Sequence, residues 1–153
     1  MEDHPTVRYA ESASRKGERQ ELAGMGERRS APADARADRA RVAEINGCNY
    51  CLSAHAYLGK NLAKLDDAEI TANRNGACSD PKADAAVRFA VKIVRERGHV
   101  SEDDLRAVKL AGFDDAQVIE ILLHVTRNTW TNYINEVAKT DIDFPAVTAR
   151  KAA

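Results

Sequence analysis

Two of the three cysteines and one histidine share the stretch Glu44-Ile45-Asn46-Gly47-Cys48-Asn49-Tyr50-Cys51-Leu52-Ser53-Ala54-His55. Cys48, Cys51 and His55 lie three and four residues apart, so a helix that begins after Asn46-Gly47 carries all three on one face. Only a thiolate is a nucleophile, and the first turn of a helix, with its unpaired N–H groups, favours that form. An imidazole one turn further on can hold or relay the proton. Cys51, the thiol nearer His55, is the better-placed attacker, and Cys48 is positioned to close a disulfide once Cys51 is oxidised. The chemistry this predicts is thiolate attack on an O–O bond, a sulfenic acid, and a Cys48–Cys51 disulfide reduced by an external dithiol.

Other readings of the same residues compete. Structural zinc needs four ligands, whereas Cys48, Cys51 and His55 supply three, so Cys78, His99 or His124 would have to be recruited. Covalent haem attachment requires a histidine directly after the second cysteine, and Leu52 stands there. The plainest alternative is a pair of small buried residues. Cys78 falls in the polar loop Gly76-Ala77-Cys78-Ser79 and is expected to be an incidental exposed thiol. His99 follows a helix-ending glycine and is expected in a surface loop. His124 lies on an apolar helix, as a hydrogen-bonded core or interface residue. No metal or organic cofactor is expected.

The elements that must position the thiols are helical. Cys51, Ala54, His55, Leu58 and Leu62 form one face of a helix ending near Lys64. A short helix follows from about Leu65–Ile70 to Asn75-Gly76. Ser79-Asp80-Pro81 supplies a cap and a proline at the first position of a helix carrying Ala86, Phe89, Ala90, Ile93 and Val94 at three-and-four spacing. Another helix opens at Ser101-Glu102-Asp103-Asp104 and ends at Ala111-Gly112. The longest runs from Asp114-Asp115 to about Ala138. Its large residues (Val118, Ile119, Leu122, Val125, Trp130, Tyr133, Ile134, Val137) cover more than one face, as in a helix that is central or shared with a partner subunit. No strand pattern of convincing length appears, so the fold class is all-α with about six helices.

Composition limits the function classes. The 153 residues suit one domain with a real core, and the formal net charge of -1 gives no field that would recruit nucleic acid or anionic membrane. The longest apolar run, Val118 to Val125, contains Glu120 and His124, which argues against a membrane span. The start, Met1-Glu2-Asp3-His4-Pro5, lacks the features of a secretory signal, and a cytoplasmic location is the expectation. Residues 1–41 are poor in core material: Gly26 to Arg41 contains no Val, Ile, Leu, Met or aromatic residue. Their charges nearly cancel, unlike a nucleic-acid arm. The expected organisation is a core-poor, disordered or loosely helical segment over 1–41, with Asp34 to Arg41 able to join the next helix. A helical domain over 42–145 and a frayed tail over 146–153 complete it.

With the cysteine pattern in place, further residues carry a family resemblance. Cys48-x-x-Cys51-x-x-x-His55 after Asn46-Gly47, then Arg74-Asn75-Gly76, Asp80-Pro81-Lys82 and Gly112-Phe113-Asp114-Asp115-Ala116-Gln117-Val118, resembles the carboxymuconolactone decarboxylase superfamily over about residues 42–145. The alkyl hydroperoxidase D-like branch is the one with the cysteine pair. The resemblance implies an all-α fold assembling as homotrimers or homohexamers, and a thiol-dependent peroxidase acting on organic hydroperoxides. It implies that Cys51 is peroxidatic, Cys48 resolving and His55 part of a proton relay, with a lipoyl-bearing protein as the implied reductant. This sequence departs from the family upstream, where Arg36 stands in place of a relay glutamate twelve positions before Cys48. Asp38 is shorter and shifted, and Glu44 is one turn from Cys48 instead of three. Tyr50 stands where some members have a second histidine. Two alternatives therefore stay open: a catalytically impaired thiol sensor or oligomeric scaffold, and a lyase acting on a γ-lactone, whose known members generally lack the cysteine pair.

Overall fold

The computed structural model describes residues 34–150, with side chains from Asp38 onward. Six helices follow in order: α1 (Asp34–Asn46), α2 (Asn49–Asn61), α3 (Asp67–Asn75), α4 (Pro81–Arg95), α5 (Glu102–Leu110) and α6 (Asp115–Ala138). No strand occurs among the described residues, so the fold class is the all-α one expected. No helix there is long and apolar enough to cross a membrane.

The local signals act where the sequence puts them. Asp66, Asp80, Ser101 and Asp114 cap α3 to α6 through their side chains, and Ser101 and Asp114 close reciprocal capping boxes with Asp104 and Gln117. Pro81 opens α4, where its missing N–H costs no hydrogen bond. Gly47, at φ 71°, separates α1 from α2, a backbone angle that L side chains adopt only under strain.

The organisation expected at the N-terminal side needs correction. The boundary at residues 41/42 falls inside α1, a helix running unbroken from Asp34 to Asn46. Far from peripheral, α1 packs against α2, α3, α4 and α6, most extensively against α4 and α6. Alanine explains how a core-poor sequence does this. It has the highest helix propensity, and its single methyl lets neighbouring helices approach closely. Ala40, Val42 and Ala43 are buried, with Asp38 and Glu44 buried beside them. Residues 1–33 of the expected core-poor segment lie outside the described residues.

Val42 joins Phe89, Ala90, Ile93, Val108, Phe113, Ile121 and Val125 in the main core, which α4, α5 and α6 complete. A second cluster gathers Ala43, Cys48, Cys51 and Leu52, against which Tyr50, Val147 and Ala149 pack. The end of the chain is also unlike the frayed tail expected. The Val147 N–H donates to Ser53 Oγ at 2.8 Å, Ala149 to Asn49 Oδ1 at 2.8 Å and Arg150 to Glu44 Oε1 at 2.7 Å. Residues 146–150 thus lie along the start of α2, and 151–153 lie outside the described residues.

The long helix α6 turns its polar residues inward over its second half. Asn128, Thr131 and Asn132 are buried, whereas Trp130, Tyr133 and Val137 are exposed, Val137 at 84%. Ile119, Leu122 and Leu123 are exposed as well. The outer face of α6 is therefore strongly apolar.

Candidate active site

The turn at Asn46-Gly47 brings Cys48 to the N-cap of α2, in extended conformation at φ -81° and ψ 99°. Its Sγ accepts the Cys51 N–H at 3.4 Å, so a sulfur does the capping usually done by an oxygen. Neither cysteine is in a disulfide, and both are buried. The first-turn N–H thus serves Cys48, and Cys51 gets its donor from elsewhere: Asn135 on α6 donates Nδ2 to Cys51 Sγ at 3.2 Å. The Cys48 thiol is pushed well above the ordinary cysteine value, first by its hydrogen bond with the Cys51 side chain and then by burial. The backbone N–H works against this but does not prevail. Cys48 is thus held as the protonated thiol.

Cys51 and His55 line one cleft of about 180 Å³. Its apolar wall is Tyr50, Ala54, Leu58 and Phe144, with Phe144 set edge-on to Tyr50 at 5.7 Å between ring centroids. Its polar wall comes from α1 and α6: Arg39, His124, Arg127, Asn128, Thr131 and Asn135. Among the described residues no carboxylate lines it.

The Asn128 amide fixes the histidine tautomer. Its Nδ2 donates to the Arg39 carbonyl at 2.9 Å, so its Oδ1 is the atom facing His55 Nε2 at 3.2 Å. An amide oxygen only accepts, so Nε2 carries the hydrogen and Nδ1 is left as the base. His55 is held down to about 4, by burial first and then by the charge of Arg39, against which the Asn128 hydrogen bond acts weakly. His124 is likewise lowered to about 4, by burial, then Arg39 and Arg127. Arg39 Nη2 lies 3.2 Å from His124 Nδ1, and a guanidinium can only donate, so that nitrogen is unprotonated. Both imidazoles are neutral at physiological pH.

The other candidates sort clearly. Glu44, one turn before Cys48, does not line the cleft: Arg74 Nε donates to it at 2.9 Å and the Arg150 N–H at 2.7 Å. Burial raises its carboxyl, but the Arg74 and Arg150 hydrogen bonds and charges outweigh that and hold it below the ordinary range. Asp38 is buried on α1, and the side chain of Arg36 lies outside the described ones. Cys78 is half-buried, its Sγ donating to Asn73 Oδ1 at 3.0 Å, and so is not the exposed thiol expected. His99 is exposed in its loop, and among the described residues no group of three His, Cys, Asp or Glu side chains could hold a metal ion.

The sequence reasoning missed Arg39, Arg127, Asn128 and Asn135. A signal for the amides existed: Asn128, Thr131, Asn132 and Asn135 recur at three-and-four spacing on a helix otherwise rich in large apolar residues. Such a polar stripe marks a face turned toward buried partners.

No protein-family model and no curated protein matches the chain. Among solved structures, it is similar to an uncharacterized peroxidase-related protein from Silicibacter sp. TM1040, with a TM-score of 0.62 and 20% sequence identity. The match covers 80% of this chain and 63% of that one, so the chain spans less than two thirds of its neighbour's length. At this identity the likeness is one of fold: the two proteins share an all-α architecture.

Proposed function

We propose that the protein is a thiol-dependent peroxidase that reduces organic hydroperoxides through Cys51 and Cys48. One observation carries this reading: two buried cysteines outside any disulfide sit in the same helical turn, the Cys48 thiol pushed up and Cys51 receiving an N–H from Asn135, at a cleft with an apolar wall. The Cys51 thiolate attacks the terminal oxygen of the hydroperoxide and the O–O bond breaks. Cys51 becomes a sulfenic acid, and the alkoxide leaves as the alcohol after taking a proton. Neutral His55, with Nδ1 as base, passes the Cys51 proton toward that oxygen. Cys48 then attacks the Cys51 sulfur, forming the disulfide and releasing water. An external dithiol restores both thiols and leaves as its own disulfide. A lipoyl-bearing protein fits that role, as the family resemblance implies, and the likeness in fold to a peroxidase-related protein supports the peroxidase reading itself. The exposed apolar face of α6 favours self-association, for which the family resemblance implies a homotrimer or homohexamer, and a cytoplasmic setting suits cysteines outside disulfides.

A thiol sensor is the second reading, favoured by Arg36 standing where the family resemblance expects the relay glutamate and by the lack of a carboxylate among the described residues that line the cleft. Its proton path would be too poor for sustained turnover while a disulfide still formed. One experiment separates the two: hydroperoxide consumption with a dithiol reductant for the wild type, Cys51→Ser and Cys48→Ser. The peroxidase reading expects turnover by the wild type, none by Cys51→Ser, and a single stoichiometric oxidation for Cys48→Ser. A wild type that forms the disulfide without turning over is a sensor; one that forms no disulfide is neither.

A further inference from the structure

A second cavity, of about 470 Å³, shares no residue with the thiol cleft. It lies among α4, α5 and the α3–α4 junction, with Arg41 of α1 at one side. Phe89 and Val108, both buried, form its floor. Among the described residues, four cations line it, Arg41, Arg88, Lys92 and Arg95, against the single carboxylate of Asp104. Arg88 is engaged by Asp84 at 2.6 Å, and Lys92 stands 3.7 Å from Asp104. Arg41 and Arg95 have no such neutralising partner among the described residues of the cavity.

The Arg41 guanidinium is placed against electrostatic preference. Its charge is disfavoured by burial and next by Arg95, with the opposing pull of Glu44 smaller. Nη1 donates to the Arg74 carbonyl at 2.9 Å, but the buried Nε finds no acceptor among the described residues. Gly76 permits the arrangement, because a Cβ there would lie 3.1 Å from Arg41 Nε. Lys92 and Arg95 stand in the last turn of α4, where cations complement the helix dipole. That accounts for two of the charges; Arg41, brought from another helix, meets the last turn of α3 through the Arg74 carbonyl, and its buried Nε is still left without an acceptor among the described residues. Two like charges facing each other over an apolar floor are stabilised when an anion lies between them, and guanidinium groups suit the planar, bidentate binding of oxyanions. The volume falls within the range of small-molecule sites.

We propose that this cavity binds an organic oxyanion, a carboxylate or phosphate monoester, with its charged head between Arg41 and Arg95 and its apolar body on Phe89 and Val108. The site is independent of the thiol chemistry and is tested without it. Titration calorimetry on the full chain at 0.15 M salt, with phenyl phosphate, benzoate and inorganic phosphate as probes and benzyl alcohol as the neutral control, reads it directly. Saturable binding of phenyl phosphate or benzoate, stronger than that of inorganic phosphate and absent for benzyl alcohol, is the expected result, and the better of the two probes identifies the head group. Arg95→Ala, an exposed position whose thermal unfolding should match the wild type, weakens binding at least tenfold, and Arg95→Glu abolishes it. Arg41→Lys, which keeps the charge but loses the fork, weakens it as well. The proposal is overturned if neither organic anion binds saturably up to millimolar concentration, if Arg95→Glu binds like the wild type, or if the amide shifts caused by the bound probe fall on Arg39 and Arg127.

Discussion

Asn135 donates its side-chain amide to Cys51 Sγ at 3.2 Å, tying the thiol at the start of α2 to the far end of α6. A donor aimed at sulfur favours the thiolate over the thiol, because the anion is the better acceptor. It also leaves the first-turn N–H to Cys48, so the two sulfurs of one turn have different donors and different tasks.

Replacing that donor tests the assignment. Asn135→Ala should slow alkylation of Cys51 by iodoacetamide at neutral pH by about tenfold, the effect of losing a hydrogen bond worth roughly 1.5 kcal/mol to a charged acceptor. Its rate-against-pH curve should move to higher pH. Unchanged alkylation would mean that Asn135 does not tune the sulfur.

The two lowered histidines give the fold an acid-side liability. His55 and His124 sit at about 4, below the ordinary value near 6.5, so the unfolded chain binds more protons than the folded one between those limits. Stability therefore rises with pH across that window and is lost as pH falls from about 6.5 toward 4. Each histidine contributes roughly 1–3 kcal/mol to the total change across that window. Urea unfolding at pH 7 and pH 4.5 should show the drop, and the pair His55→Gln and His124→Gln should flatten it.

Glu44 belongs to the architecture. Its carboxylate is buried, paired with Arg74 and capped by the Arg150 N–H. Glu44→Ala leaves the part-buried Arg74 without its partner and should cost about 3 kcal/mol in urea unfolding. Glu44→Gln should be milder, and the peroxide consumption of its folded fraction should match the wild type. A turnover loss without loss of stability would instead make Glu44 a relay group.

The docked tail covers the cysteines. Ser53 Oγ is the buried acceptor for the Val147 N–H, and Val147 and Ala149 pack on the cluster that contains Cys48 and Cys51. Ser53→Ala should cost about 1–3 kcal/mol by orphaning that N–H. Cys48 and Cys51 should then react severalfold faster with a bulky disulfide reagent, and amide exchange at Val147 should accelerate. Equal reactivity in both proteins would show that the tail does not shield the thiols.

The helices were legible in the sequence because their signals are local. Capping residues, Pro81, the breaks at Gly47, Gly76 and Gly112, and three-and-four apolar spacing each act within one or two turns, and five of the six helices announce themselves that way. The Cys48, Cys51 and His55 spacing was legible for the same reason, since one helix carries it. The status of α1 was not. Alanine writes no periodic pattern, so a helix at the centre of the packing reads like a solvated tail until its neighbours are in place.

What the sequence determined by itself was an all-α chain with two thiols and an imidazole on one helical face. Tertiary structure decided what each of them meets, because those partners lie 73 to 84 positions away in the chain: Asn128 for His55 and Asn135 for Cys51. It also decided that Cys48 takes the helix cap and that Glu44 serves Arg74 and the chain's end. Hydrogen bonding and burial, which set proton affinity, depend on distances across helices that the spacing along one helix does not contain.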